Sequence, residues 1–233
     1  MTRIRAITFD AAETLFTVVR PVGETYSLMA RDFGGELDVE LLQHGFRTEF
    51  PAMAPLGFPD ASAGELDNLE RTWWHELVSR VVHHAGSVPL FDDYFDAVYQ
   101  YYAAPQAWQL FPEVHALLCE LKMRGTKLAV VSNFDSRLIP VLTGLGIASC
   151  FDDVVYSSQA GAAKPDPQIF ELALSRLDAD ATETLHLGDN AVADRQGARD
   201  AGMQSVLVER TGPKKYPDSI ASLDEVLNRV GIT

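Results

Sequence analysis

Three apolar segments of the chain each end in side chains that carry potential ligand atoms. These side chains are Asp10 and Thr14 after the first segment, Ser132 and Asn133 after the second, and Asp189 and Asn190 after the third. If the segments are strands of one open α/β sheet, their carboxyl ends form a single crevice, where such folds bind ligands. Lys164 precedes a further predicted helix and can reach the same crevice. Two carboxylates, a serine, a lysine and helix N-termini together suit a hard divalent cation beside a phosphate.

Each of these short motifs is weak evidence when it is taken alone. An aspartate at the end of a strand is more often a helix cap or a loop residue than a nucleophile. The dipeptide Lys164-Pro165 and the tripeptide Gly188-Asp-Asn190 are both common in turns. The prediction therefore depends on the order and spacing of all the motifs along the chain.

The second half of the chain alternates between strand and helix patterns. A helix is predicted from about Val114, with Cys119 on its apolar face and Gly125 placed to end it, and Asp135 is the expected N-cap of the next helix. Such alternation predicts an α/β fold with a doubly wound, parallel, Rossmann-like sheet. The predicted strands are Ile4–Phe9, Leu128–Ser132, Asp153–Ser157, Leu185–Leu187 and Gln204–Val208.

The alternation stops after the first strand, and helical patterns continue until about Tyr102. We therefore predict a helical cap, residues 18–102, inserted after strand one of a core made of residues 1–17 and 103–233. Adjacent helical side chains point in different directions, so His83–His84 is expected on a polar face rather than in a metal site. The predicted packing residues of the cap include Leu41–Leu42, Trp73–Trp74 and Val81–Val82.

The composition excludes several classes of partner. The chain has 19 Lys and Arg against 33 Asp and Glu, a formal charge of −14, which disfavours binding to nucleic acid and to anionic membranes. No apolar stretch approaches the roughly 20 residues that span a bilayer. Two cysteines are too few for a disulfide framework, so we expect free thiols and a cytoplasmic protein. The oligomeric state is not predictable from these patterns.

Four ordered segments together resemble the motifs of the haloacid-dehalogenase-like (HAD) hydrolase superfamily. They are Asp10–Leu15, Val130–Asn133, Lys164–Pro167 and Gly188–Asp194. The insert after strand one is similar to the helical cap of subfamily IA. The resemblance extends through Gly45–Arg47, Trp73–Trp74 and Trp108–Gln109, so it covers nearly the whole chain.

The resemblance implies a nucleophile and a metal site. Asp10 would attack phosphorus and form an aspartyl-phosphate, which divides one difficult displacement into two easier ones. Mg²⁺ would be held by Asp10, the main-chain carbonyl of Ala12 and Asp189, with Asp194 supporting it through water. Mg²⁺ usually keeps several waters, which agrees with so few protein ligands.

The resemblance also implies how a small phosphorylated substrate is held. Ser132 and the main chain of Asn133 would bind phosphate oxygens, and Lys164 would neutralise the charge on nucleophile and phosphoryl group. Thr14 would belong to the catalytic loop that follows Asp10. Positioning and electrostatic stabilisation of this kind dominate phosphoryl transfer.

One position departs from the family pattern. Phosphatases of this superfamily carry a second Asp two residues after the nucleophile as general acid and base, whereas this chain has Ala12. Glu13 could replace it, or could instead turn towards the cap hinge or solvent. Two alternatives therefore stay open, namely a weak or degenerate protein that binds a phosphorylated ligand or protein partner, and a metal-free 2-haloacid dehalogenase. Arg20 and Arg47 could contact a substrate anion, or could form exposed salt bridges.

Overall fold

The computed structural model describes residues 4–229, and the central feature of this part of the chain is a parallel β-sheet. The sheet has five strands in the order β5-β4-β1-β6-β7, so the predicted α/β fold with a parallel sheet is confirmed. Every predicted strand lies within two residues of an observed one at each end. The strands of the chain are β1 (Ala6–Phe9), β2 (Phe16–Val18), β3 (Trp108–Leu110), β4 (Lys127–Ser132), β5 (Asp153–Tyr156), β6 (Thr184–Gly188) and β7 (Gln204–Leu207).

Strand β1 lies at the centre of the sheet because its side chains are buried on both faces. Continuous apolar runs such as this one are typical of parallel strands covered by helices on both sides. Phe9 stands opposite Val130 of β4 and Leu187 of β6. The register therefore brings the residues that follow these three strands to one edge of the sheet.

Helices α1–α4 lie between β2 and β3, and the remaining helices accompany the sheet. Strands β2 and β3 pair antiparallel as a two-stranded ribbon that joins the two sets of helices. The sequence patterns did not predict this ribbon, because strands of three residues are too short to show a period. The helices are α1 (Val22–Ala30), α2 (Val39–Glu49), α3 (Leu66–His83), α4 (Phe91–Ala103), α5 (Val114–Met123), α6 (Leu138–Gly144), α7 (Ser157–Ala160), α8 (Pro167–Leu177), α9 (Gly197–Asp200) and α10 (Val226–Arg229).

Helices α1–α4 have an apolar core of their own, separate from that of the sheet. It combines aliphatic and aromatic side chains, and Tyr26, Tyr94 and Phe95 are almost completely buried. Val81 and Val82 are also buried there, as predicted. No helix in residues 4–229 combines the length and the apolar character needed to cross a bilayer.

Three local predictions were wrong. Leu41 is 47% exposed, because the face of α2 that packs on α3 contains Leu42 and Gly45; a Cβ at Gly45 would lie 3.1 Å from the carbonyl oxygen of Val81. Cys119 is exposed, because the buried face of α5 runs through Leu117, Leu118 and Leu121 instead. Asp135 is not the N-cap of α6, because the helix begins after Arg137; Asp135 instead accepts from the main-chain N–H of Arg137 and forms a buried ion pair with its guanidinium.

Candidate active site

Asp10 follows the central strand, and its carboxylate is almost buried. Its main-chain N–H donates to the carbonyl of Leu187 at 2.8 Å, which continues the pairing of β1 with β6 by one residue. The hydroxyl of Ser132, at the end of β4, donates to Asp10 Oδ1 at 2.9 Å. Burial raises the pKa of Asp10, and the nearby Lys164 opposes that effect. The structure therefore brings the ends of three neighbouring strands to one carboxylate.

Lys164 connects the two most buried carboxylates of the site. Its ammonium group donates to Asp10 Oδ1 at 2.7 Å, to Asp194 Oδ1 at 2.6 Å and to the carbonyl of Val131 at 2.8 Å. These bonds use all three of its hydrogens. Burial alone would lower the pKa of Lys164, but the two carboxylates outweigh burial and raise that pKa. The lysine is therefore held as a cation between Asp10 and Asp194.

The side chain of Asn133 fixes the main chain of Lys164. Its amide group donates to the carbonyl of Lys164 at 2.9 Å, and its Oδ1 accepts from the N–H of Lys164 at 2.7 Å. Both ends of the Asn133 side chain bind Lys164, and the contact of its main chain with phosphate stays a prediction. This exchange of hydrogen bonds links the loop after β4 to the segment before α8.

Asp194 is held from both of its oxygens. Oδ1 accepts from Lys164 and lies 3.2 Å from Nε2 of His186, and Oδ2 accepts from the N–H of Asn190 at 2.8 Å. Burial raises the pKa of Asp194, but Lys164 and His186 outweigh burial and hold that pKa well below its usual range. Gly188 permits this arrangement, since a Cβ at Gly188 would lie 2.2 Å from Cγ of Asp194. With both oxygens engaged, Asp194 is suited to an indirect role.

Asp189 differs from Asp10 and Asp194 in that its carboxylate forms no ion pair with Lys164. The carboxylates of Asp10, Asp189 and Asp194 each offer an oxygen, and these oxygens all lie within 4.8 Å of one another. Asp189 keeps an exposed edge, but loss of water raises its pKa to about 7, and the charges of Asp10 and Asp194 add to that effect. Three carboxylates face one lysine, so the cluster retains excess negative charge.

This donor set fits a hard divalent cation. Mg²⁺ prefers oxygen ligands and is commonly held by one or two carboxylates together with water. Asp10 and Asp189 are the available direct ligands, and Asp194 would act through its hydrogen bonds. Ala12 lies in the turn after Asp10, where its main-chain carbonyl is the predicted third ligand.

The turn after Asp10 explains the positions of Glu13 and Thr14. Glu13 adopts a left-handed conformation (φ 61°), and its exposed carboxylate accepts a hydrogen bond from Thr17 in β2 at 2.6 Å. Thr14 is buried, and its hydroxyl has no hydrogen-bond partner in the described part of the chain. Its carbonyl accepts from Arg210 at 2.5 Å. Neither side chain therefore forms a hydrogen bond with Asp10.

The site also contains a residue that the sequence analysis missed. His186 is fully buried in β6, where Nδ1 lies 2.8 Å from the hydroxyl of Thr8 and Nε2 contacts Asp194. Burial lowers the pKa of His186, so the neutral ring can accept from Thr8 and donate to Asp194. The signal for it in the sequence was a histidine between the two leucines of a predicted strand, Leu185 and Leu187. Arg20 and Arg47 are both exposed, so their contact with a substrate stays a prediction.

The chain is similar to known proteins over most of its length. The family model for haloacid dehalogenase-like hydrolase matches residues 4–202. The chain is 36% identical to haloacid dehalogenase-like hydrolase domain-containing protein 3 of Homo sapiens over 91% of its length and 84% of the relative, and 32% identical to that of Danio rerio over 97% and 96%.

Solved structures show the same fold. A HAD phosphatase from Thermococcus onnurineus superposes with a TM-score of 0.70 at 23% identity, over 98% of this chain and 99% of that one. A 2-haloacid dehalogenase from Pseudomonas syringae superposes with a TM-score of 0.62 at 25% identity, over 97% and 99%. The solved structures share the fold, and the family match and the two relatives show that the chain belongs to the haloacid dehalogenase-like hydrolase family.

Proposed function

We propose that the protein is a Mg²⁺-dependent phosphatase that acts on a small phosphorylated metabolite through an aspartyl-phosphate at Asp10. One observation carries the proposal, namely the cluster of the Asp10, Asp189 and Asp194 carboxylates, two of which, Asp10 and Asp194, form ion pairs with Lys164. A divalent cation would complement the negative charge of these carboxylates, and that cation together with Lys164 would complement the negative charge of a phosphoryl group. The excess of carboxylates has no evident purpose in a metal-free reaction.

In the proposed reaction a carboxylate oxygen of Asp10 attacks phosphorus. The bond from phosphorus to the ester oxygen breaks, and that oxygen keeps the electron pair and takes a proton from water. Ser132 and the main chain of Asn133 bind the phosphoryl oxygens while Lys164 offsets their charge. Mg²⁺, held by Asp10, Asp189 and the Ala12 carbonyl, would supply further charge neutralisation. A water molecule then hydrolyses the aspartyl-phosphate, which releases phosphate and restores Asp10.

The proposed enzyme is slow, because its general acid and base is missing. Ala12 has no group that can transfer a proton, and the carboxylate of Glu13 bonds Thr17 instead. General acid–base catalysis is worth about 10²–10⁴ in rate. The same observation supports a second candidate function, in which the protein binds a phosphorylated ligand or a protein partner and turns over little or no substrate.

The experiment is an assay of phosphate release from a panel of phosphomonoesters, with Mg²⁺ and with EDTA. Release that requires Mg²⁺ and disappears in Asp10→Asn supports the proposal. Activity that survives both EDTA and Asp10→Asn overturns it. Tight binding of phosphorylated compounds without turnover supports the second candidate. Halide release from short 2-haloacids in EDTA would instead identify a dehalogenase.

A further inference from the structure

Glu70 is a cap carboxylate that is completely buried against the core. It lies in α3, and its partners belong to two core segments, the loop after β4 and helix α7. Oε1 accepts from the N–H of Ser136 at 3.2 Å and from the hydroxyl of Ser158 at 2.5 Å, and Oε2 accepts from the hydroxyl of Ser136. One side chain of the cap therefore bonds both core segments at once.

No cation forms an ion pair with Glu70 among the residues that the structure describes. Its stability in a buried position depends on the three donors of Ser136 and Ser158, because a buried carboxylate is costly unless it is hydrogen-bonded. All three donors belong to the core. If the cap separated from the core, Glu70 would lose these three donors and be exposed to water. Its hydrogen bonds therefore exist only while the cap is docked on the core.

The two core segments bonded by Glu70 are those that lead to the phosphate-binding residues. Ser136 follows Ser132 and Asn133 in the loop after β4, and Ser158 precedes Lys164. At the active site the same segments are joined by the exchange of hydrogen bonds between Asn133 and Lys164. Glu70 is thus a second cross-link between them, and this one comes from the cap.

Neighbouring contacts hold the cap in the orientation that Glu70 requires. Trp74, one helical turn after Glu70, donates from its indole N–H to Asp135 at 2.5 Å. The guanidinium of Arg137 lies 4.6 Å from the ring centroid of Trp74 and 4.0 Å from that of Tyr99, and it is paired with Asp135. These contacts fix residues 135 and 137 on either side of Ser136.

The cap also contacts the segment before Lys164 through the loop that contains Gly57 and Pro59. A Cβ at Gly57 of the cap would lie 3.3 Å from the N of Ala162, and a Cβ at Gly161 would lie 3.0 Å from Cα of Pro59. Gly161 also has a positive φ of 71°, which favours glycine. The cap loop therefore approaches this core segment almost backbone to backbone.

We propose that Glu70 is a positioning residue through which the docked cap orders the loop after β4 and the segment before Lys164. In this arrangement Ser132, Asn133 and Lys164 reach their working positions together only when the cap is docked. The catalytic consequence rests on the proposed phosphatase function, whereas the ordering of the two core segments does not.

Hydrogen exchange measured by mass spectrometry tests the ordering without reference to activity. Glu70→Ala should speed exchange about tenfold or more in peptides that cover residues 133–138 and 157–164, since bonds to a charged acceptor are lost. Exchange in β6, on the other side of the sheet centre, should be unchanged. Glu76→Ala, on the exposed face of the same helix, is the matched control and should leave all of these peptides unchanged.

The conservative variant separates positioning from general damage to the cap. Glu70→Gln keeps an acceptor oxygen for two of the donors, and its amide can donate to the hydroxyl of Ser136, so exchange should stay within about threefold of the wild type. Ser158→Ala removes one donor from the core side and should accelerate exchange in the same direction as Glu70→Ala. If Glu70→Ala does not fold, Ser158→Ala combined with Ser136→Ala supplies the same comparison.

Phosphate release from the best substrate of the panel is the second readout. Glu70→Ala should lower kcat at least tenfold with Mg²⁺ present, and Glu70→Gln should restore most of it. A wild-type protein without phosphatase activity would defeat the proposed function and leave the exchange result to decide this inference. Exchange in residues 133–138 and 157–164 that is the same in Glu70→Ala and Glu76→Ala overturns the inference.

Discussion

The carboxylate of Glu13 accepts a hydrogen bond from the hydroxyl of Thr17, 2.6 Å away in the first strand of the ribbon. Glu13 is the acidic residue nearest in sequence to Ala12, the position where the proposed phosphatase mechanism would require a general acid. A carboxylate that is held in the ribbon and open to solvent is badly placed to serve Asp10. The hydrogen bond between Glu13 and Thr17 therefore indicates that Glu13 stabilises this turn and does not transfer protons at Asp10.

Ala12→Asp should increase the rate of phosphate release. The substitution supplies a proton donor and acceptor two residues after the nucleophile, and we expect kcat to rise by about 10²–10⁴. Steady-state kinetics with Mg²⁺ would measure the gain, with Ala12→Asn as a control of similar size that cannot exchange a proton. An equal rate in both variants would mean that the pocket has a further defect.

Glu13→Gln should change kcat by less than about threefold. The amide can still accept from Thr17, and an exposed hydrogen bond contributes only about 0.5–1.5 kcal/mol to stability. The pH dependence of kcat provides the sharper measurement, because a group that transfers a proton shapes that profile. A loss of activity of a hundredfold, with a changed profile, would identify Glu13 as the substitute acid.

Lys164→Met should destabilise the protein by about 3 kcal/mol or more. The variant keeps the apolar stem and removes the charge that lies between two buried carboxylates, which leaves them without a counter-charge. Urea unfolding followed by circular dichroism measures the change. Lys122→Met is the matched control, because its ion pair with Asp152 is exposed and should be worth less than about 1 kcal/mol. Equal losses in the two variants would contradict the prediction.

Asp189→Asn should stabilise the metal-free protein above pH 7. The pKa of Asp189 is raised from 3.8 to about 7 in the folded protein, so the folded state binds a proton that the unfolded state releases near pH 4. This stabilising contribution is present at low pH and is lost as the pH rises from about 4 through about 7. Melting temperatures in EDTA at pH 5 and pH 8 should therefore show a gain for Asp189→Asn over the wild type that is larger at pH 8. A gain independent of pH would contradict this assignment.

Gly188→Ala should displace the carboxylate of Asp194 and thereby disrupt the site. The new methyl group would lie 2.2 Å from Cγ of Asp194, so either Asp194 or the end of β6 must move. We expect a loss of about 1–3 kcal/mol in the free energy of unfolding together with weaker Mg²⁺ binding. Chemical denaturation and calorimetric titration with Mg²⁺ measure the two effects. Gly64→Ala, where no atom lies within 4 Å of the added Cβ, should show neither.

The sequence by itself determined the sheet and the identity of the residues at its edge. Buried parallel strands can be recognised in the sequence as short apolar runs. The residues that follow these runs lie at the same edge of the sheet. Asp10, Ser132 and Asp189 could therefore be assigned to one crevice without coordinates. The helical character of α1–α4 was predictable for the same reason, because a helical period is a local property of the chain.

Only the tertiary structure decided how individual side chains are used. The sequence left Glu13 between two roles, and the fold bonds it to Thr17. Glutamate in a helix is usually exposed. Glu70 is nevertheless buried, and it accepts a hydrogen bond from Ser158, 88 positions further along the chain. Similarly, His186 meets Asp194 only because the chain after β6 turns back over Gly188. A hydrogen bond between distant segments leaves no periodic trace in either of them, so contacts of this kind depend on how the folded elements pack.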